Sequence, residues 1–278
     1  TYNPYNLSKT PGGSSGGAAV ALAADLLPLA DGSDLGGSLR NPASFCNVVG
    51  FRPSIGRMPF NRGFSWYGRM VTTGPMAKNV RDTILLFSVM AGPHASDPLT
   101  LEDPGTTFLD ALEPMGKAEV QQLRVGVSQD LGGLPIDAEV AETITAAAQV
   151  MRRLGAEVVE SAPDLKDAMD VFQVQRAAGL RLLSRRLETI DPGWRDTIKE
   201  TARWNIEKGL TLTADELLTA ELKRSALYAR VAEYFEHFDA LIIPSAQVPP
   251  FDATVDWVSE INGVAMQTYI DWMAVCCM

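Results

Sequence analysis

Two short loops concentrate serine among glycines, a setting in which serine can act as a nucleophile. Gly12-Gly13-Ser14-Ser15-Gly16-Gly17 contains nothing else, and Ser33-Asp34-Leu35-Gly36-Gly37-Ser38 repeats the theme, with Ser14 and Ser38 24 positions apart. As a plain connection, six consecutive Gly and Ser residues would sacrifice much backbone order. A Gly/Ser loop that opens a helix instead directs several backbone N–H groups at one spot, which suits an anion or a developing oxyanion. A hydroxyl also needs a base, and histidine is the usual one. Only two histidines occur, His94 in a Gly-Pro-His-Ala-Ser-Asp-Pro loop and His237 at the end of a helical stretch. Both are read as structural. Serine can be activated without histidine when a second serine relays its proton to a neutral lysine, which is one reason for two such loops to occur together.

Two rival readings of the same loops fit less well. Gly12-x-Ser14-x-Gly16 and Gly13-x-Ser15-x-Gly17 both match the nucleophile-elbow pattern of α/β-hydrolases. That elbow follows a strand, whereas Lys9-Thr10-Pro11 precedes these glycines, and it needs a histidine in a suggestive setting downstream. A phosphate-binding loop of the Gly-x4-Gly-Lys-Ser/Thr type is absent, and a lone Gly-rich loop is weak evidence for a nucleotide.

The loops must be positioned by regular elements. Ala18 to Ala24 is a run of small, mostly strong helix formers, so the first loop is expected to open a helix. Leu26 to Ala30 is expected as a short buried strand ended by Asp31-Gly32, and Thr73-Gly74-Pro75-Met76 as a turn. Val80 to Ala91 has helical spacing, and the proline-bearing stretch from Pro93 to Asp110 reads as irregular. A βαβ pattern begins at Arg124: a strand at Val125-Gly126-Val127, a helix from about Asp137 to Leu154 capped by Gly155, and a strand over Ala156 to Val159. Helices follow over about Lys166 to Arg186 and from the capping box Thr213-x-x-Glu216 to about Phe235, with a buried strand at Asp239 to Pro244. Phe172, Trp194 and Trp204 fall in the stretch from Asp164 to Leu210, where they are read as core before pocket.

Composition narrows the function. The 278 residues are 46% hydrophobic and 21% charged, enough for a substantial core, and the formal charge of −10 gives no electrostatic footprint for a phosphate backbone. Nucleic acid is therefore not an expected partner. No apolar stretch is long enough to cross a bilayer, so no membrane partner is expected. Cys46, Cys276 and Cys277 have neither a disulfide framework nor zinc-ligand spacing and are read as idle thiols in a reducing, cytoplasmic setting. The chain begins without Met in a turn-rich run and stops at Met278 in an apolar segment, so both ends are expected to be cut.

The stretch from Asn3 through Gly17, the stretch Gly32-Ser33-Asp34-Leu35-Gly36-Gly37-Ser38-Leu39-Arg40-Asn41-Pro42-Ala43, and Phe45-Cys46 and Gly50-Phe51-Arg52-Pro53 after it, together resemble the amidase signature family. The likeness continues through Gly74-Pro75-Met76-Ala77 and Ile242-Ile243-Pro244-Ser245. It implies an α/β fold, an α/β/α sandwich with a large twisted mixed sheet, as one domain with a catalytic core over 1–90 and a substrate-side region over about 120–240. It also implies a Ser–cis-Ser–Lys triad in which Ser38 forms an acyl-enzyme and Ser14, preceded by a cis bond from Gly13, relays the proton. The oxyanion hole would be the backbone N–H groups of Leu35, Gly36, Gly37 and Ser38, with Ser15, Asp34 and Arg40 holding the loops.

By the same resemblance the triad lysine lies upstream of Thr1; neither Lys9 nor Lys78 matches its place. The activity implied is hydrolysis of a small carboxylic amide, anilide or ester, with no metal or organic cofactor and a homodimer among the compatible assemblies. The alternatives are the A-type subunit of a tRNA-dependent amidotransferase and a catalytically incomplete fragment or binding module.

Overall fold

The alanine run after the first Gly/Ser loop forms helix α1 (Gly16–Ala23) in the computed structural model, which describes residues 1–59 and 70–278. Residues 60–69, inside the expected 1–90 core, lie outside the described residues. Gly16, Ala19 and Leu22 form the buried stripe of α1, and the helix stops at Asp25, whose φ of 60° is left-handed. Strand β1 (Leu29–Asp34) follows, then α2 (Arg40–Phe45) and β2 (Val49–Gly50). Strand β3 (Thr72–Ala77) runs between them in an antiparallel sheet of order β1-β3-β2, with Leu29 opposite Ala77 and Asp34 opposite Thr72. Ala19, Leu22, Leu39, Ala43, Cys46 and Met76 pack together, so α1, α2 and β3 share one core. Two expectations are corrected here. Leu26 is 72% exposed and the strand starts at Leu29, running through Asp31-Gly32 instead of stopping there. Gly74-Pro75 lies in the central strand of this sheet and not in a turn. Proline is tolerated because β2 pairs only with Ala77 and Met76, after which the Phe51 N–H donates to the Pro75 carbonyl and asks nothing of the missing N–H.

Helix α3 (Val80–Met90) is N-capped by Asn79, which accepts from the Asp82 N–H. The segment expected as irregular tightens into a 3-10 turn over Gly105–Leu112, followed by the short α4 (Lys117–Val120). The βαβ expectation appears as β4 (Arg124–Val127), α5 (Ala138–Leu154) and β5 (Glu157–Glu160), with Asp137 as N-cap and Gly155 in the left-handed C-terminal position. β4 lies between β5 and the later β6 (Ala240–Ile242), parallel to both, and its Val127 packs against Ile144 and Ala148 of α5. A hairpin of β7 (Glu260–Ile261) and β8 (Val264–Ala265) turns through Asn262-Gly263, both at positive φ. The fold is thus mixed α/β, as expected, and among the described residues its mixed strand content falls into antiparallel and parallel pieces.

These elements belong to a unit spanning Thr1–Ala162 and His237–Cys276, which contains both the serine loops and the β4-α5-β5 motif. A second unit, Pro163–Glu236 with Cys277–Met278, is helical. It comprises α6 (Ala168–Ile190), a single turn α7 (Trp194–Thr197), α8 (Glu200–Thr211) and α9 (Ala214–Phe235). Phe172 and Trp194 are 1% and 2% exposed, which makes them core. α8 comes close to α6 at Gly209, where a Cβ would fall 2.3 Å from the Ala177 carbonyl oxygen.

Candidate active site

The site is built where α1 begins, β1 ends and α2 begins. Asn3 starts the construction: it is buried, and its Nδ2 donates to the Phe45 carbonyl at 2.8 Å, fixing the chain that leads into the first Gly/Ser loop. The Gly13–Ser14 peptide is cis. The next residue fastens the two loops together, because the Ser15 N–H donates to the Ser38 carbonyl at 3.1 Å. Ser15 Oγ also accepts from the Ser33 N–H at 3.3 Å and donates to the Ser33 carbonyl at 3.4 Å. Gly32 allows this approach: a Cβ there would lie 2.5 Å from Ser15 Oγ and 2.7 Å from Leu39. Ser14 is exposed and Ser38 half-buried, and among the described residues neither hydroxyl has a hydrogen-bond partner.

Asp34, with no exposed surface, is the hub of the second loop. Its carboxylate accepts from the N–H of Gly37 at 2.8 Å and of Leu39 at 3.1 Å, and takes two bonds from Arg40, at 3.0 Å and 2.9 Å. Burial pushes its acidity toward the neutral form. The hydrogen bond and charge of Arg40, the Gly37 N–H and the charge of Arg52 outweigh that and hold the carboxyl below its ordinary value of 3.8. The carboxylate is therefore ionised throughout the neutral range and folds the loop around itself. With the Gly37 N–H committed to Asp34, the N–H groups of Leu35, Gly36 and Ser38 are left without a partner among the described residues. Gly37 has a φ of +103°, and a Cβ on it would also meet Asn41 and Cys276 at 2.8 Å, so glycine is required twice over.

The structure brings Ser14, Ser15, Asp34, Leu35, Gly36, Gly37, Ser38 and Arg40 into one place. Lys78 is engaged elsewhere, its Nζ 2.6 Å from Asp25 on an exposed edge, and Lys9 pairs in an isolated bridge with Asp252. His94 bonds Ser96 at 2.7 Å within its own loop. Three residues at the site were given no part in it by the sequence reading. Arg52 donates to the Asp34 and Met70 carbonyls. Cys276 packs on Gly37, its thiol 3.2 Å from Asn41 Oδ1 and 3.0 Å from the Ser245 carbonyl, while its own carbonyl accepts from Arg40 at 2.8 Å. Burial pushes that thiol up to about 11, so it is protonated and unreactive at neutral pH. Buried Asn41 is the third. Arg52 lay in a stretch already singled out, Gly50-Phe51-Arg52-Pro53; Cys276 had no local signal, 236 positions from Arg40.

A cleft of about 410 Å³ lies within the helical unit, lined by residues that include Asp170, Lys208, Glu216 and Lys223. Its lysines are occupied: Lys223 by Asp167 and Asp170 at 3.0 Å and 3.1 Å, Lys208 by Gln173 at 2.6 Å. Among the described residues no cluster of His, Cys, Asp and Glu could hold a metal ion, and no helix is long and apolar enough to cross a membrane.

The sequence model of the family described as Amidase matches residues 1–278. The A-type subunit of the glutamyl-tRNA(Gln) amidotransferase from Nostoc sp. is 32% identical over 249 residues, covering 89% of this chain and 50% of that protein. The crystal structure of a bacterial aryl acylamidase belonging to the amidase signature enzymes superposes with a TM-score of 0.82 at 26% identity, covering all of this chain and 58% of the other. 6-Aminohexanoate cyclic dimer hydrolase complexed with substrate gives a TM-score of 0.79 at 25% identity, over 98% of this chain and 57% of that one. The chain spans about half the length of the curated relatives it matches.

Proposed function

Because the chain belongs to the amidase family, we propose that it carries the nucleophile of an enzyme that hydrolyses a small carboxylic amide, with anilides or esters also accepted. Ser38 Oγ attacks the carbonyl carbon and passes its proton to Ser14 Oγ, which hands its own on to a neutral lysine supplied from outside residues 1–278. The carbonyl oxygen becomes an oxyanion that receives the backbone N–H groups of Leu35, Gly36 and Ser38, while the Gly37 N–H is held by Asp34. The relayed proton returns to the nitrogen, the C–N bond breaks, and the amine leaves an acyl ester on Ser38. Water, deprotonated through the same relay, then attacks the ester, the Ser38 Oγ–acyl bond breaks, and the relay returns the proton to Ser38 Oγ as the acid is released. Ser15, Asp34 and Arg40 hold the loops. No metal or organic cofactor enters this scheme, and the three free thiols suit a cytoplasmic location.

The observation that carries this reading is the Ser15 N–H to Ser38 carbonyl bond, which sets two serine-bearing loops side by side. The aryl acylamidase and the cyclic dimer hydrolase among the solved relatives support hydrolysis of an amide. A fluorophosphonate probe applied to the full-length protein tests it. Ser38 should carry the label, Ser38→Ala should carry none, and Ser14→Ala should react more slowly by at least a hundredfold, on the order of a lost proton relay. A folded full-length protein labelled elsewhere, or not at all, overturns it.

A second reading has a specific observation behind it, the 32% identity to the A-type subunit of an amidotransferase. In that case the same serine chemistry would serve amidation of an aminoacyl-tRNA within a complex. Co-purification with partner proteins, and tRNA-dependent amidation by the complex, would decide for it. The formal charge of −10 favours the small-molecule reading.

A further inference from the structure

Arg52 follows β2 and is held against the sheet by its neighbour, whose Phe51 N–H donates to the Pro75 carbonyl at 3.0 Å. From there its guanidinium, a quarter exposed, reaches the Met70 and Asp34 backbone and the Asp34 carboxylate. Nη2 donates to the Met70 carbonyl at 2.8 Å, Nη1 donates to the Asp34 carbonyl at 3.4 Å, and Nε lies 3.8 Å from Asp34 Oδ1. The Asp34 carbonyl and the Leu35 N–H are the two ends of one peptide unit. In a planar trans peptide they point in opposite directions, so a donor that fixes the oxygen also fixes the line along which the hydrogen points. A cation on the oxygen further polarises the unit and makes its N–H a stronger donor. Asp34 already organises the later part of the loop through the N–H groups of Gly37 and Leu39. The Leu35 N–H receives no bond from that carboxylate, and Arg52 joins the β1–β3 pairing of Asp34 with Thr72 in holding the other end of its peptide unit.

We propose that Arg52 is a positioning residue that aims and polarises the Leu35 N–H toward the oxyanion. This rests on the reading of residues 35–38 as the oxyanion hole. In this role Arg52 acts through the Asp34–Leu35 peptide. The planar guanidinium suits the task because one group can hold the carbonyls of Asp34 and Met70 at once, whereas a lysine ammonium on a flexible stem would bring the charge without that fork.

The test uses the full-length protein and a fluorophosphonate, whose phosphoryl oxygen must enter the oxyanion site as the Ser38 adduct forms. Saturation kinetics separate the limiting rate of labelling from the probe's binding constant. Arg52→Gln should lower the limiting rate about tenfold, a part of the 10²–10³ lost when an oxyanion donor is removed outright, and leave the binding constant within about twofold. Arg52→Lys guards against misfolding, since it keeps a cation beside Asp34; it should melt with the wild type and still label several-fold more slowly. A wild-type limiting rate in Arg52→Lys, or a loss confined to the binding constant in Arg52→Gln, overturns the proposal while leaving the Ser38 reading intact. Absence of labelling in the folded wild-type protein overturns both.

Discussion

Around Ser38 the fixing contacts are hydrogen bonds to backbone: Asp34 gathers the N–H groups of Gly37 and Leu39, and Ser15 brackets both polar ends of Ser33. Residues 163–236 are fixed by packing instead, with Phe172, Ala177, Trp194 and Ile206 buried among α6, α7 and α8. There the buried Trp194 Nε1 and Arg203 Nε have no hydrogen-bond partner among the described residues. The two regions therefore answer differently to substitution. In the serine loops each residue meets a directional demand that few side chains satisfy. In the helical unit volume and apolarity are what matter, and a similar side chain will serve.

Asp34→Asn should separate them most sharply. It removes the charge that Arg40 faces and the acceptor around which the loop folds, so stability should fall by about 3–5 kcal/mol, the usual range for breaking a buried pair from one side. Fluorophosphonate labelling of Ser38 should fall with it even at temperatures where the variant stays folded. The pH dependence has a definite sign. The folded carboxyl titrates below its ordinary 3.8, so the stabilisation is complete above that value and is lost as pH falls through the lower folded one. Chemical denaturation of both proteins should show a constant gap in stability above about pH 5 that closes in acid. A gap that widens in acid would mean that Asp34 is protonated in the folded state.

Phe172→Ala is the counterpart in the helical unit. The ring is 1% exposed, and the Arg176 guanidinium lies over it at 5.7 Å from the centroid. Removing it should cost about 3 kcal/mol, the low end for a buried phenylalanine because the arginine stem can settle into the space. Thermal unfolding should report that loss, and the labelling rate of Ser38 below the transition should stay at the wild-type value. A labelling defect as large as that of Asp34→Asn would erase the distinction between the regions.

The same contrast explains what could be read from the sequence. The serine loops were legible because their demands are written as residue types: Gly32 and Gly37 are places where a Cβ would collide, and Asp34 and Arg40 sit within a few positions of the groups they bind. The C-terminal cap of α5 at Gly155 and the box at Thr213 were legible for the same reason. Where tertiary contacts overrode a local signal, the reading failed. Asp31-Gly32 looks like a strand terminator, yet the glycine is there to admit Ser15 and Leu39, and the strand continues to Asp34. Gly74-Pro75 looks like a turn, yet it is flanked by strands that make no use of the proline nitrogen. The Asn262-Gly263 hairpin was a local signal that went unused. Arg52 and Cys276 reach the loop from afar, and no spacing along the chain announces such contacts.

The smallest effect is expected at the start of α9. Thr213 Oγ1 accepts from the Glu216 N–H at 3.2 Å while the Glu216 carboxylate accepts from the Thr213 N–H at 2.7 Å, so two otherwise orphaned donors at the helix start are satisfied reciprocally. Thr213→Ala removes one of these bonds and weakens the other, for a cost of about 1 kcal/mol, whereas Thr213→Ser keeps the hydroxyl and should be close to neutral. Because the contact is local and directional, it is the exception that sharpens the rule. It shows that a helical unit held by volume still depends on residue type at its ends, where backbone groups have no neighbour in the helix to bond. Hydrogen exchange at the first turn of α9 should quicken in Thr213→Ala and not in Thr213→Ser. Equal protection in both variants would mean that packing of α9, and not its cap, holds the first turn in place.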